Sequence, residues 1–421
     1  MSTIFAPITG RGGAVSVLRL SGAEALAITA SLCALPVPRR ASLRRLRHEG
    51  RGLDTALVVV FPGPDNFTGE DCVELSLHGG RAVLAAVSHA LTALGARYAE
   101  PGEFSRRAFE NGRFDLLEAE AMADLIAAET EAQRAQAVEG ADALHAACAS
   151  WREALRHIMA RQEALIDFPD EDLPPEVEAA LRTGIAELAA EMRAALGAAP
   201  AAERLREGLE FVILGAPNAG KSTLLNALAG EEIAIVSDIP GTTRDAVGMR
   251  VDLGGVPVHI TDTAGLRETQ DAIEAEGVRR ALARAGRADF LLLAAPPGEP
   301  FPEAPPGIPA LCLRTKADLG GTEGFAVSAR SGAGMEVLRA RLAQVAQDLT
   351  DTKGAAALAR PRQIACVRDT AAALERALAL PDPELRGEEL RAASLALARL
   401  VGVIGVEEVL DAVFSGFCIG K

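Results

Sequence analysis

A chain of 421 residues carrying 43 Lys and Arg against 58 Asp and Glu has no net positive charge; its formal charge is −15. Bulk attraction to a polyanion is therefore excluded, and contact with nucleic acid needs a local basic patch. The best such patch is Arg39, Arg40, Arg44, Arg45, Arg47 and Arg51, between apolar runs, which reads equally well as a solvated loop. No apolar run approaches the ~18 residues of a membrane span. No basic segment precedes an apolar one at the start, and Arg11 interrupts it early, so no signal peptide is expected. The six cysteines (33, 72, 148, 312, 366, 418) form no CxxC and no metal spacing, which suits a reduced, cytoplasmic location. Cys418 stands fourth from the end, as in a prenylation box, but Gly420 and Lys421 argue against one.

What is present is a phosphate loop. Gly215-Ala216-Pro217-Asn218-Ala219-Gly220-Lys221-Ser222 reads G-x-x-x-x-G-K-S between the apolar Phe211-Val212-Ile213-Leu214 and the helix-like run from Thr223. Glycines let the backbone fold round an anion so that N–H groups and a helix N-terminus point at it. Lys221 is expected at the β/γ-phosphate oxygens and the Ser222 hydroxyl at Mg²⁺.

Further segments follow in the order a GTPase requires. Asp238-Ile239-Pro240-Gly241-Thr242-Thr243 occupies the place of a first switch, with Thr243 as a second Mg²⁺ ligand. Asp262-Thr263-Ala264-Gly265 supplies a carboxylate to hold Mg²⁺ through water and an N–H to sense the γ-phosphate. Thr315-Lys316-Ala317-Asp318 stands where N-K-x-D reads guanine, and Ser328-Ala329 fits the loop that closes over the base. Asp318 can accept from guanine N1–H and its amine together, so the nucleotide is GTP. Two expected side chains are missing. Thr315 replaces Asn, which predicts guanine binding weaker by about one hydrogen bond, ~1 kcal/mol. Leu266 stands where a water-orienting Gln is usual, so either hydrolysis is weak or a base in the polar run Arg267–Gly277 does that work.

The chain is long enough for two or three domains. Residues 1–113 mix short strand patterns with turns, and 114–208 are Ala/Glu/Arg/Leu-rich with helical periodicity. Residues 209–349 hold the GTPase segments, and the helical texture returns over 350–421. The two helical stretches read as halves of one domain with the GTPase inserted.

Outside the GTPase, the chain resembles the MnmE (TrmE) family of tRNA-modification GTPases along nearly its whole length. The residues that carry this are Gly10-Arg11-Gly12-Gly13, Leu18 to Gly22, Phe67 to Asp71, His78-Gly79-Gly80, Pro101 to Phe104, Asn111-Gly112-Arg113, Ile166 to Glu171 and the end Phe417-Cys418-Ile419-Gly420-Lys421. The resemblance implies an α/β plus all-α protein: an N-terminal α/β folate-binding-like domain, a split helical domain and an inserted Ras-like P-loop GTPase domain. It implies a homodimer through the N-terminal domains and an FAD-containing MnmG partner. The pair is expected to add an aminomethyl or carboxymethylaminomethyl group to carbon 5 of the wobble uridine of certain tRNAs, with a tetrahydrofolate derivative giving the one-carbon unit. Family folate contacts fall on Arg19, Glu74, Arg113 and Lys421. K⁺ positions fall on Asn218, Ser237, Ile239 and Thr242, and the water-activating glutamate on Glu274, which answers the loss at Leu266. Flavin and folate chemistry needs no protein thiol, so Cys418 is left out of the catalytic set. The GTPase segments alone would also serve an RNA-binding ribosome-assembly or switch GTPase without folate chemistry, which has no use for a Cys-Ile-Gly-Lys end.

Overall fold

A computed structural model describes residues 2–10, 12–167, 175–230, 248–262, 286–320, 324–354, 356, 358–402, 410, 414 and 420. The chain forms two compact units, one made of Met1–Ala123 with Ala398–Lys421, the other of Asp124–Leu397.

In the first unit six strands form one sheet: β1 (Ile4–Pro7), β2 (Val15–Ser21), β3 (Ser42–His48), β4 (Arg51–Phe61), β5 (Cys72–His78) and β6 (Arg97–Tyr98). They lie in the order β3-β4-β5-β2-β1-β6, and only the β1–β6 pair is parallel. Side chains alternate between faces along a strand, so β2 sends Leu18 and Leu20 one way and Arg19 the other. Leu18, Leu20, Leu46, Val58, Val73 and Leu75 are buried together under the helices Ala25–Leu32 and Arg81–Ala93. At roughly 1.5–3 kcal/mol for each large apolar side chain, this face fixes the strand register. The opposite face carries the polar residues considered below.

The second unit holds β7 (Leu209–Leu214), β8 (Gly248–Leu253), β9 (Val256–Asp262), β10 (Phe290–Ala295), β11 (Ala310–Arg314) and β12 (Phe325–Ala326), ordered β12-β11-β10-β7-β9-β8. All neighbours are parallel except β8 with β9. Central parallel strands are covered on both faces and so read as unbroken apolar runs. Phe211 and Ile213 pack on one side with the helices Lys221–Ala229 and Met335–Thr350; Val212 and Leu214 pack on the other with Leu291 and Leu293. In the strand order β7 lies between β10 and β9, so the order reverses there, and the carboxyl end of such a strand is the switch point where α/β sheets bind ligands.

In the same unit the helix Pro175–Glu207, which precedes β7, packs along Pro361–Ala379, which follows the sheet. Small buried residues make the close approach possible: Ala189, Ala195, Ala199 and Ala202 on one helix, Ala371, Ala373 and Ala377 on the other. Against the sheet's hairpin, the Ala132 N–H donates to the Gly255 carbonyl at 3.2 Å and Arg250 pairs with Glu129 at 2.7 Å.

Candidate nucleotide and folate sites

The phosphate loop runs from the end of β7 into the helix Lys221–Ala229. Two backbone positions on it are left-handed, Asn218 at φ +66 and Gly220 at φ +87. Gly215 is required for a different reason. A Cβ there would fall 2.3 Å from the Ala294 carbonyl oxygen on β10. Lys221 is 4% exposed, and its Nζ donates to the carbonyls of Gly215 and Ala216, each at 2.9 Å. Its ammonium is thereby held inside the ring of the loop. Ser222 donates through Oγ to Asp262 Oδ2 at 2.6 Å, which joins the helix start to the carboxyl end of β9. Two hard oxygen donors so placed suit Mg²⁺.

The residues expected to read the base follow the ends of β11 and β12. Thr315 is 3% exposed, and its hydroxyl donates to the Ala219 carbonyl at 2.6 Å. The hydroxyl thus makes the bond the shortened side chain can still reach, tying this loop to the phosphate loop. Lys316 follows with φ +55. Its stem passes Gly220, whose added Cβ would lie 3.8 Å from Lys316 Cε. Asp318 accepts from Ser328 Oγ at 2.6 Å. That hydrogen bond is the largest of the influences holding the Asp318 carboxyl below its ordinary range, so it stays an acceptor. Ser328 is itself buried and Ala329 follows it in the turn that leads to the helix Met335–Thr350.

The structure therefore brings together Asn218, Ala219, Gly220, Lys221, Ser222, Thr223, Asp262, Thr315, Lys316, Asp318, Ser328 and Ala329 at one edge of the second sheet. Ser237, Ile239, Thr242, Thr243, Thr263, Ala264, Gly265 and Glu274 lie outside the described residues.

On the polar face of the first sheet, Arg19 and Glu74 are directly opposed on β2 and β5. Arg19 donates to Glu74 Oε1 through Nε at 3.0 Å and Nη2 at 2.7 Å. Its guanidinium lies 5.0 Å from the centroid of Phe67 and 5.8 Å from that of Phe104. Arg113 reaches the same loop as Phe67: its stem would meet a Cβ on Gly69 at 3.3 Å, and its guanidinium is 3.8 Å from Asp65. Lys421 lies outside the described residues, but Gly420 is buried with φ +104, and a Cβ on it would come within 2.1 Å of the Pro7 carbonyl. Cations, a carboxylate and two rings in one place suit a flat, conjugated ligand with a carboxylate tail.

The loop between β4 and β5 is held by residues that motif reading did not single out. Glu70 accepts from Ser21 Oγ at 2.7 Å and from Arg107 Nη1 at 3.0 Å. Arg107, 4% exposed, also donates to Glu103 at 2.9 Å and to the Ser2 carbonyl at 2.9 Å. Burial raises the Glu103 carboxyl, but hydrogen bonds from Arg97, the Glu100 N–H and Arg107 outweigh it and hold it low. Phe67, Glu70, Glu103 and Phe104 all fall in stretches that carry the family resemblance, which was the available signal. Their partners were not legible, because the contacts join residues up to 105 positions apart.

The sequence model of the MnmE helical domain matches residues 116–418, and that of the GTP-binding protein TrmE N-terminus matches residues 3–113. The tRNA modification GTPase MnmE of Acidiphilium cryptum (strain JF-5) is 63% identical over 99% of this chain and 98% of its own. That of Gluconacetobacter diazotrophicus is 54% identical over 99% and 98%. Among solved structures, the G domain of the T. maritima FeoB iron transporter covers 33% of this chain and 99% of its own at 21% identity, with a TM-score of 0.24, too loose an overlay to bear on the fold. With both sequence models matching and full-length relatives at this identity, the chain belongs to the MnmE (TrmE) family of tRNA modification GTPases.

Proposed function

We propose that this GTPase of tRNA modification is activated by K⁺ and works with an FAD-containing MnmG partner. Together they would add an aminomethyl or carboxymethylaminomethyl group to carbon 5 of the wobble uridine of certain tRNAs. The observation that carries the GTPase half is the joined set of Lys221, Ser222–Asp262 at 2.6 Å and Asp318–Ser328 at 2.6 Å, all at the carboxyl ends of the parallel strands of one sheet. Lys221 would turn its ammonium from two loop carbonyls to the β/γ-phosphate oxygens, and the loop N–H groups would hold the β-phosphate. Ser222, Asp262 and Thr243 would hold Mg²⁺, which when bound offsets charge on the phosphate oxygens during transfer. Asn218, Ser237, Ile239 and Thr242 would hold K⁺, and Glu274 would orient the attacking water. Asp318 selects guanine because an ionised carboxylate only accepts, and guanine offers two donors where adenine does not.

The modification half rests on the family and on the Arg19–Glu74 face. There Arg19, Glu74, Arg113 and Lys421 would bind a tetrahydrofolate derivative, with the rings of Phe67 and Phe104 beside it. The protein would act as a homodimer in the cytoplasm; among the described residues no helix is long and apolar enough to cross a membrane. The test is mass spectrometry of tRNA nucleosides from cells lacking the gene, with and without a plasmid copy. Loss and return of 5-substituted wobble uridines supports the reading, and their persistence without the gene counts against it. Equilibrium binding of 5-formyltetrahydrofolate, with and without Lys421, tests the folate site separately.

A further inference from the structure

The segment from Arg39 to Arg51 holds six arginines and one acid, Glu49, in a chain whose formal charge is −15. It forms β3, the outer strand of the first sheet, and the turn into β4. Two of the six have structural duties. Arg39 donates to the Asp65 carbonyl, and Arg44 donates through Nε to the Ala34 carbonyl at 2.8 Å. The other four, Arg40, Arg45, Arg47 and Arg51, are exposed, and among the described residues none makes an ion pair. Leu46 points into the core, so by alternation Arg45 and Arg47 share the opposite face. Two residues apart on a strand, their side chains start roughly 7 Å from one another. The cross-strand pair Leu43 and Leu57 continues that face, 64% and 46% exposed.

Arginine on an outer strand can also serve only to keep other strands from pairing with it. That duty needs charge of either sign. A grip on phosphate needs positive charge, and this is the difference an experiment can use. We propose that Arg45 and Arg47 form the surface by which the chain holds the phosphate backbone of structured RNA, an inference that rests on tRNA being the substrate; Arg51 pairs with His48 on the other face of the sheet and Arg40 precedes the strand. An acidic protein cannot gather RNA by its net field, so one basic strip sets where on the protein the RNA lies. The contacts are to phosphates and carry no sequence information; they position the RNA.

The experiment is equilibrium binding of an unmodified tRNA transcript to the full-length protein across a salt series, with R45E/R47E beside the wild type. The variant is expected to bind at least tenfold more weakly. Its plot of log K against log salt should be shallower by about 1–2, since each lost phosphate contact removes roughly 0.7–0.9 from the slope. GTP hydrolysis and 5-formyltetrahydrofolate binding should be unchanged, which shows that the variant is folded. Equal affinity and slope in variant and wild type overturns the inference. So does a wild type that binds no tRNA, or one that binds anionic phospholipid vesicles in its place. A wild-type gene that restores modified uridines in cells, while its protein shows no arginine-dependent binding, sinks this inference alone. A wild-type gene that restores nothing sinks the functional reading itself.

Discussion

Lys221 illustrates how one side chain joins stability to function. Its ammonium is nearly buried, and two loop carbonyls stand in for the phosphate oxygens it would meet. Lys221→Ala should leave the fold intact and weaken binding of a fluorescent GTP analogue about 10- to 100-fold, the range of a lost charge-assisted hydrogen bond or two. Thr315 makes a smaller contribution. Removing its hydroxyl leaves the Ala219 carbonyl without its donor, so Thr315→Ala should weaken GDP binding by about 1 kcal/mol, roughly fivefold. Calorimetry showing no change would mean that the bond between the two loops is dispensable. For Glu274 the expectation comes from the family: Glu274→Ala should abolish hydrolysis while GTP still binds. Single-turnover hydrolysis at wild-type rate would remove it from the mechanism.

Among the elements, two close approaches of backbone decide whether a site forms. Gly215 lets the phosphate loop pass under β10, and a Cβ there meets the Ala294 carbonyl, which cannot move aside as a flexible side chain can. Gly215→Ala should cost about 1–3 kcal/mol of stability and lower nucleotide affinity with it, read by denaturant titration with and without GDP. The end of the chain is placed in the same way. Gly420 sits against Pro7 of β1 with a positive φ, and β1 pairs with the strand that carries Arg19. Gly420→Ala should displace the tail and weaken 5-formyltetrahydrofolate binding while hydrolysis of GTP is retained. Unaltered folate binding would separate the tail from that site.

At the level of the whole molecule, the helical part of the second unit is clasped by a buried charge. Arg386 is 1% exposed, bonds Glu178 through both Nη atoms at 2.7 and 2.9 Å, and donates through Nε to Gln162 at 2.6 Å. The helix Pro383–Val401 is thereby joined to two helices more than two hundred positions earlier in the chain. Burial pushes the Glu178 carboxyl up, but hydrogen bonds from Arg386 and Arg182 prevail and hold it below the usual range. A depressed carboxyl contributes stability above its unfolded pKa, ~4.3, and loses it as pH falls through the lower folded value. Acid unfolding should therefore be steeper below about pH 4 in the wild type than in Glu178→Gln, and the variant less stable at pH 7. Parts of both sheets were legible as patterns: unbroken apolar runs for β7 and β10, short strand patterns within residues 1–113, and a helical period before and after the sheet of the second unit; β3, which reads equally well as a solvated loop, and the helices Ala25–Leu32 and Arg81–Ala93 were not. The phosphate loop and the run expected to read guanine stand out in sequence too, because their chemistry fixes residue type and local spacing together. Local spacing could not reveal that Thr315 bonds Ala219, that Arg19 faces Glu74 beneath two rings, or that Arg386 is buried against Glu178. Each of those contacts joins residues more than fifty positions apart, and only packing of the folded chain selects them. Sequence thus determined which elements form and which phosphate chemistry is present, since both depend on neighbours along the chain. Tertiary structure alone decided which charges are spent on one another and which, like Arg45 and Arg47, remain open to a partner.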